Sequence, residues 1–323
     1  MHRGINIAQI SVVVPLYNKE LYVERAITSI LNQTFQDFEI IVVNDGSTDN
    51  SAKVVMNIID SRISLIQQEN GGVSKARNTG IQESKSELIA FLDADDEWMP
   101  GFLEKILKLR SKYPSAGIYA MSMKNEYIDS VLVTHPELKD LVPEEGLLTN
   151  YFKIYKKGIG IFCSSSVAIP KNILLEYDGF KVGFWWGEDV DLWGRIALRY
   201  PIAYSSSVGA FYRQEVMNSA VKKRATVDVH PFVLSANEAI INNKVPTNFR
   251  EDVKEYVQFL EFYTAKHNAY SGNRNLAYKI IREKESKNYY KKELFRAILS
   301  THIREKSPIL GKVLSPIFSR SRK

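Results

Sequence analysis

Residues 88–98 read LIAFLDADDEW: a continuous apolar run that ends in three carboxylates within four positions. A run this short and this apolar has the pattern of a strand buried on both faces, as in a parallel sheet. Its end delivers Asp93, Asp95 and Asp96 to one place, where their charges repel unless something positive sits among them. An exposed-looking Trp98 follows, and then a helical pattern, PGFLEKILKLR, with Pro100 in its first turn. A helix start needs one capping carboxylate, not three.

Working outward, ISVVVPLY (10–17), FEIIVVND (38–45) and ISLIQQ (63–68) repeat the short, β-branched or continuously apolar pattern, and all are expected to be doubly buried strands. Helical periodicity falls between them, at about 20–31, 50–59 and 73–84. The alternation predicts βαβ units, an α/β fold with a mostly parallel sheet flanked by helices, and ligands gathered where strand C-termini meet the following loops. After about Gln214 the pattern turns helical, so a helical C-terminal appendage follows the α/β part.

Composition narrows the function classes. The chain has 323 residues, 45% of them hydrophobic, which is enough for a full core. Its one cysteine, Cys163, excludes an internal disulfide and a multi-cysteine metal site, and fits a reducing compartment. The five histidines are scattered without ligand spacing, which argues against zinc. The first residues lack the pattern of a signal peptide, and no stretch approaches the roughly 18 apolar residues of a spanning helix, so a cytoplasmic, soluble or peripheral protein is expected. The formal charge of +6 is unevenly placed: residues 274–323 carry 14 Lys or Arg against 4 Asp or Glu, a net of +10, leaving −4 for the rest. The basic character belongs to the tail, so a nucleic-acid partner does not follow from it.

The remaining polar clusters lie at predicted strand ends. In VVNDGSTDNS (42–51), Asp45 and Asp49 serve a turn and a cap, or face a ligand at the helix N-terminus. In NGGVSKARNTGI (70–81), Gly71 and Gly72 permit close backbone approach, while Lys75 and Arg77 offer donors to phosphate or carbonyl oxygens. There is no GxxxxGK[ST], and no GxGxxG follows a strand. Oxygen ligands on a few carboxylates suit Mg²⁺ or Mn²⁺ that keeps a substrate's phosphates as its other ligands. The positive partner of the three aspartates is therefore expected to be a metal that arrives with a diphosphate.

VVVPLYN, VVNDGSTDNS, NGGVSKARNTGI, FLDADDEWMP and GEDVDLWGRI together resemble, in order and approximate spacing, the inverting family-2 nucleotide-sugar glycosyltransferases with the GT-A (Rossmann-like) fold, over about residues 10–214. The resemblance implies a catalytic domain over 1–214, with a nucleotide-sugar half to about 97 and an acceptor half from about 98, followed by a helical region over 215–323. It places the nucleoside against Asp45 and Asp93, with Arg77 as a further nucleotide contact and Pro15, Tyr17 and Asn18 lining the pocket. It places the metal on Asp95. It makes Asp189 the catalytic base that deprotonates an acceptor hydroxyl.

In GFWWGEDVDLWGRIALR (183–199), Leu192, Trp193, Ile196 and Ala197 form the core face of a helix. Glu188 could complement the helix dipole or face the acceptor, and Trp185 or Trp186 could stack on a sugar or join the core. Asp191 is read as an i,i+4 partner of Arg195. One departure stands out: relatives carry a His two residues after a "YR" pair, and here FYRQE puts Glu215 there, so the third protein ligand is Glu215 or none. The implied activity moves a sugar, from a UDP-sugar donor, onto a glycan or lipid-linked acceptor with Mn²⁺ or Mg²⁺, and the basic tail would suit an anionic membrane surface. The competing readings are a nucleotidyltransferase and a catalytically silent sugar-nucleotide or glycan-binding protein.

Overall fold

The computed structural model describes residues 7–125, 138, 140–213, 225–282, 292–296 and 298. Glu215 and the basic tail beyond residue 298 lie outside the described residues, and so do the expectations placed on them. The chain divides into two compact units, Met1–Met217 and Asn218–Lys323.

In the first unit β1 (Ile10–Leu16), β2 (Phe38–Asp45), β3 (Ile63–Gln68) and β4 (Leu88–Phe91) alternate with α1 (Val23–Leu31), α2 (Ser51–Met56) and α3 (Val73–Glu83). All four strands are parallel. The sheet continues through β5 (Glu97–Trp98), β6 (Ile118–Asn125), β7 (Glu145–Leu148), β8 (Val167–Pro170) and β9 (Ile202–Tyr212), with α4 (Phe102–Lys112), α5 (Tyr151–Tyr155), α6 (Lys171–Glu176) and α7 (Glu188–Ala197) between them. The strand order is β3-β2-β1-β4-β8-β6-β9-β5, with β7 paired to β9. β8 runs against β4 and β6, and β5 and β7 run against β9, so six of the nine strands among the described residues share one direction. This is the mostly parallel, helix-flanked α/β sheet that the alternation predicts.

Burial follows from position in the sheet. Val12, Val14 and Leu16 of β1 pack with Ile40 and Val42 of β2, Ala90 of β4 and the inner face of α1 (Val23, Ala26, Ile27, Ile30). Each of the Val, Leu and Ile side chains contributes about 1.5–3 kcal/mol when fully buried. On the other side α3 lies close against β1: a Cβ on Gly80 would stand 2.3 Å from Val13 Cγ1, so any larger residue would push the helix away. β3 departs from the expectation of double burial. It is an edge strand, and its side chains are half-buried or exposed.

Trp98 is a second correction. It is buried, stacked on Phe102 at 4.3 Å between ring centres, and its Nε1–H donates to Ser165 O at 2.6 Å. The polar stretch around it is a short antiparallel strand against β9, which the local sequence does not announce.

Pro15 marks the point where the sheet opens. Pairing between β1 and β4 ends at Val13–Phe91, and Val13 O accepts from Leu92 N. Two residues on, Pro15 faces the same side, where β4 no longer runs beside it and no donor is needed.

The second unit is helical: α8 (Pro231–Ile241), α9 (Arg250–Tyr270) and α10 (Arg274–Arg282). Phe262, Ala265 and Ala269 of α9 pack against Ala277 and Ile281 of α10. Among the described residues no helix is long and apolar enough to cross a membrane.

Candidate active site

The C-terminal ends of β1, β2 and β4 meet where the strand order reverses about β1, the crevice in which open α/β sheets bind ligands. Tyr17, at the end of β1, is 47% exposed, whereas Pro15 beside it is buried. Asn18 takes a left-handed backbone (φ 51°), which asparagine tolerates better than most residues. Its N–H donates to Ser47 Oγ at 3.0 Å and its Oδ1 accepts from Thr48 N at 2.8 Å. Lys19 N donates to Ser51 Oγ at 2.8 Å, and Glu20 N to Asp49 Oδ2 at 3.1 Å. The loops after β1 and β2 are thereby sewn together, and Asp49 has the turn-and-cap role.

Asp45 is 2% exposed and clamps the loop before α3. Its Oδ1 accepts from Gln68 Nε2 (2.6 Å) and Gly71 N (2.9 Å), and its Oδ2 from Gly72 N (2.8 Å). Gly46 makes the turn possible: it has φ 69°, and a Cβ there would meet Asn70 N at 2.8 Å.

The three aspartates after β4 separate into three environments. Asp93 Oδ1 accepts from Arg77 Nη2 at 2.7 Å. Asp95 Oδ2 pairs with Lys19 Nζ at 2.6 Å, and its main-chain carbonyl accepts from Arg25 at 3.2 Å. Asp96 is 1% exposed and accepts from Ser165 Oγ (2.5 Å) and Arg213 N (2.9 Å). Burial, reinforced by the charges of Asp95 and Asp93, pushes the Asp96 carboxyl well above the usual carboxylate range. Asp96 is thus a structural tie. Ser165 is its centre: its Oγ accepts from Asp93 N at 3.1 Å while donating to Asp96, and its carbonyl holds Trp98.

Arg77, 2% exposed, is locked on several sides. Besides Asp93 it donates to Glu188 Oε1 at 2.9 Å, and its guanidinium lies over the Phe180 ring at 5.1 Å. Burial alone would favour neutral arginine, but Asp93, Glu188 and Asp189 raise its pKa further and keep it charged. Gly187, in the left-handed region at φ 79°, lets the chain turn into α7 immediately before Glu188 and Asp189. Burial and the neighbouring Asp189 charge push Glu188 up, with Arg77 opposing. Asp189 is partly exposed; burial raises it too, opposed by Arg77 and by the Val190 N–H at 2.7 Å. Ser164 Oγ donates to Asp189 Oδ2 at 3.2 Å. Trp185 and Trp186 are half-buried and stacked on each other, 6.4 Å between centres, in the segment leading into α7. Asp191 is fully buried and bonded to Arg195 Nε at 2.8 Å, as the i,i+4 spacing predicts.

Asp93, Arg77, Glu188 and Asp189 are therefore brought together, with Asp95 beside Asp93. Asp45, Pro15, Tyr17 and Asn18 lie on the adjoining strand ends. Sequence reading missed Lys19, Ser164 and Ser165. A lysine in a loop and two serines in a Ser-Ser-Ser turn carry no local signal, because their partners come from 25 to 76 residues away.

The donor set fits a hard divalent cation. It offers carboxylate oxygens at Asp93 and Asp95, and an ammonium already sits on the Asp95 oxygen. Among the described residues no group of three or more His, Cys, Asp or Glu forms a closed cage. Mg²⁺ and Mn²⁺ are commonly held by one or two carboxylates, with water and phosphate oxygens completing the shell.

The fold is that of the GT-A proteins, shared with the solved structures named below. Residues 11–177, more than half of the chain, match the family described as Glycosyl transferase family 2, and the chain belongs to that family. Asp189 lies beyond the matched span. Among curated relatives, the glycosyltransferase GlyA of Streptococcus pneumoniae is 41% identical over 107 residues, 32% of this chain and 15% of GlyA. The uncharacterized glycosyltransferase EpsJ of Bacillus subtilis is 47% identical over 89 residues, 27% of this chain and 26% of EpsJ. The matched stretches thus span well under half of these relatives. S. aureus TarS 1–349 in complex with UDP-GlcNAc shares the fold at a TM-score of 0.59 and 17% identity, covering 92% of this chain and 81% of that one. The mannosyltransferase PcManGT of Pyrobaculum calidifontis, in complex with GDP-Man and Mn²⁺, gives 0.61 and 17%, covering 94% and 88%.

Proposed function

We propose that this protein is an inverting, metal-assisted glycosyltransferase that moves a sugar from a UDP-sugar to a hydroxyl of a glycan or lipid-linked acceptor. The observation that carries the reading is the Arg77 bridge, which ties Asp93 on the donor side to Glu188 and so sets the adjacent Asp189 against the same crevice. The fold neighbours captured with UDP-GlcNAc and with GDP-Man and Mn²⁺ support a nucleotide-sugar donor and a divalent ion.

In this reading Pro15, Tyr17 and Asn18 line the nucleoside pocket. Asp45 shapes that pocket through the Gly71–Gly72 loop, and Asp93 and Arg77 border it. Asp95 holds the ion. A divalent ion bound there supplies charge neutralisation for the departing diphosphate. Asp189 accepts the proton of the acceptor hydroxyl as its oxygen attacks the anomeric carbon; the bond from that carbon to the diphosphate oxygen breaks, and one displacement inverts the centre. The raised proton affinity of Asp189 makes it a better base than an exposed aspartate. Ser164 orients it. Glu188 is a positioning residue rather than an acceptor contact, since it is buried against Arg77. Trp185 and Trp186 offer ring faces to an acceptor sugar. Residues 1–97 form the donor half and 98–214 the acceptor half; the sequence from 215 on is a separate region whose basic end suits peripheral attachment to the cytoplasmic membrane face.

The test is thermal shift with Mn²⁺ against a panel of UDP- and GDP-sugars, since a bound ligand raises stability by mass action. A UDP-sugar should raise Tm and be turned over with release of UDP. Release of pyrophosphate, or no shift with any donor, would contradict the reading.

A further inference from the structure

Lys19 stands where a cation is wanted. Its Nζ lies 2.6 Å from Asp95 Oδ2, and both side chains are largely shielded, at 14% and 18% exposure. The backbone that carries it is fixed on both sides: Asn18 is bonded to Ser47 and Thr48, Lys19 itself to Ser51, and Glu20 to Asp49 and Asn50. The ammonium is therefore delivered to Asp95 by a rigid loop and not by chance contact of a surface side chain.

The other cations nearby are committed differently. Arg77 is gripped by two carboxylates and an aromatic ring, and cannot leave without stranding buried charge. Arg25 pairs with Glu97 at 2.7 Å and reaches the Asp95 carbonyl, not its carboxylate. Lys19 instead ends in a compact point charge on a flexible four-carbon stem, and can exchange one oxygen partner for another with little rearrangement.

We infer that Lys19 is an internal competitor for the metal: its ammonium occupies the Asp95 oxygen until a divalent ion arriving with a nucleotide diphosphate displaces it. The inference rests on the reading of Asp95 as the metal carboxylate. It has a functional consequence. A free ion must evict a neighbouring positive charge and gains few protein ligands in return, so it binds weakly. An ion on a diphosphate brings its own ligands and gives the evicted ammonium new oxygens to meet. Metal and donor then load together, and the protein does not hold an idle ion.

The experiment measures Mn²⁺ binding to the full chain without nucleotide, from the electron paramagnetic resonance signal of free Mn²⁺. Lys19→Met should bind Mn²⁺ roughly three- to tenfold tighter than the wild type, the scale of a partly shielded ion pair. Lys19→Arg should bind it more weakly, because a guanidinium fork can hold both carboxylate oxygens. Unchanged or weaker binding by Lys19→Met overturns the inference; if that variant does not fold, Lys19→Arg decides alone, and wild-type affinity there overturns it. Asp95→Asn separates the two claims. If it binds Mn²⁺ like the wild type, the metal assignment has failed. If it loses Mn²⁺ while both lysine variants match the wild type, only the role of Lys19 has failed.

Discussion

Arg77 and Glu188 stand 111 residues apart in the chain and are joined at 2.9 Å, with Asp93 on the other terminal nitrogen of the same guanidinium at 2.7 Å. α3 thereby fixes the loop after β4 to the first turn of α7. Removing the arginine leaves Glu188 buried without its counter-charge, which typically costs about 3–5 kcal/mol. Arg77→Met should lower the urea midpoint accordingly, and adding Glu188→Gln should restore part of the loss. Simple additivity of the two changes would show that the pair does not act as a unit.

Asp189 and Asp191 sit on one helix and should behave oppositely. Asp189→Asn should keep nucleotide binding and lose transfer by a factor on the order of 10² to 10⁴, the usual worth of a general base. Asp191→Asn breaks the pair that the fully buried Asp191 makes with Arg195, and should lower Tm while leaving far more activity. Reversed severities in a transfer assay would move the base to Asp191.

The pH dependence of transfer follows from the same aspartate. Burial raises Asp189 above the ordinary carboxylate value of about 3.9. A base works only when ionised, so kcat/KM should fall as pH drops through a pKa higher than that of an exposed aspartate. Glu188 beside it is also raised, and the limb should report the pair together. An activity flat down to pH 4 would contradict a carboxylate base whose proton affinity is raised.

Stability has its own acid limb. Glu145 is held down to about 2 by hydrogen bonds from Lys105 and then Lys112. A depressed carboxyl contributes stability that is complete above its unfolded value near 4.5 and is lost as pH falls toward about 2. Glu145→Gln should flatten the change in Tm across that window, and an unchanged slope would assign the acid sensitivity elsewhere.

The parallel half of the sheet was legible because its causes are local. β1, β2 and β4 are central strands and read as β-branched or continuously apolar segments, while α1 and α3 carry their periodicity in sequence. β3 reads like them but lies at the edge, a fact set by strand order and not by its own residues. β5 and β8 are two and four residues long and exist through partners far along the chain. Trp98 looked exposed because its neighbours are polar; Phe102 and the Ser165 carbonyl bury it. Within the site, the aspartates announced themselves by clustering, but nothing local told Asp96 from Asp95. That distinction comes from Ser165 and Lys19, both distant in sequence.

The central claim is that the crevice beside Asp95 binds a nucleotide diphosphate through a divalent ion. Calorimetric titration of the full chain with UDP, in Mn²⁺ and then in EDTA, tests it most directly, with Asp95→Ala as the second protein. UDP should bind the wild type well in Mn²⁺ and at least about tenfold more weakly in EDTA, a difference of some 1.4 kcal/mol, while Asp95→Ala should bind weakly in both and stay folded. Equal UDP affinity with and without the ion, or an Asp95→Ala variant that keeps the full metal response, would contradict the account.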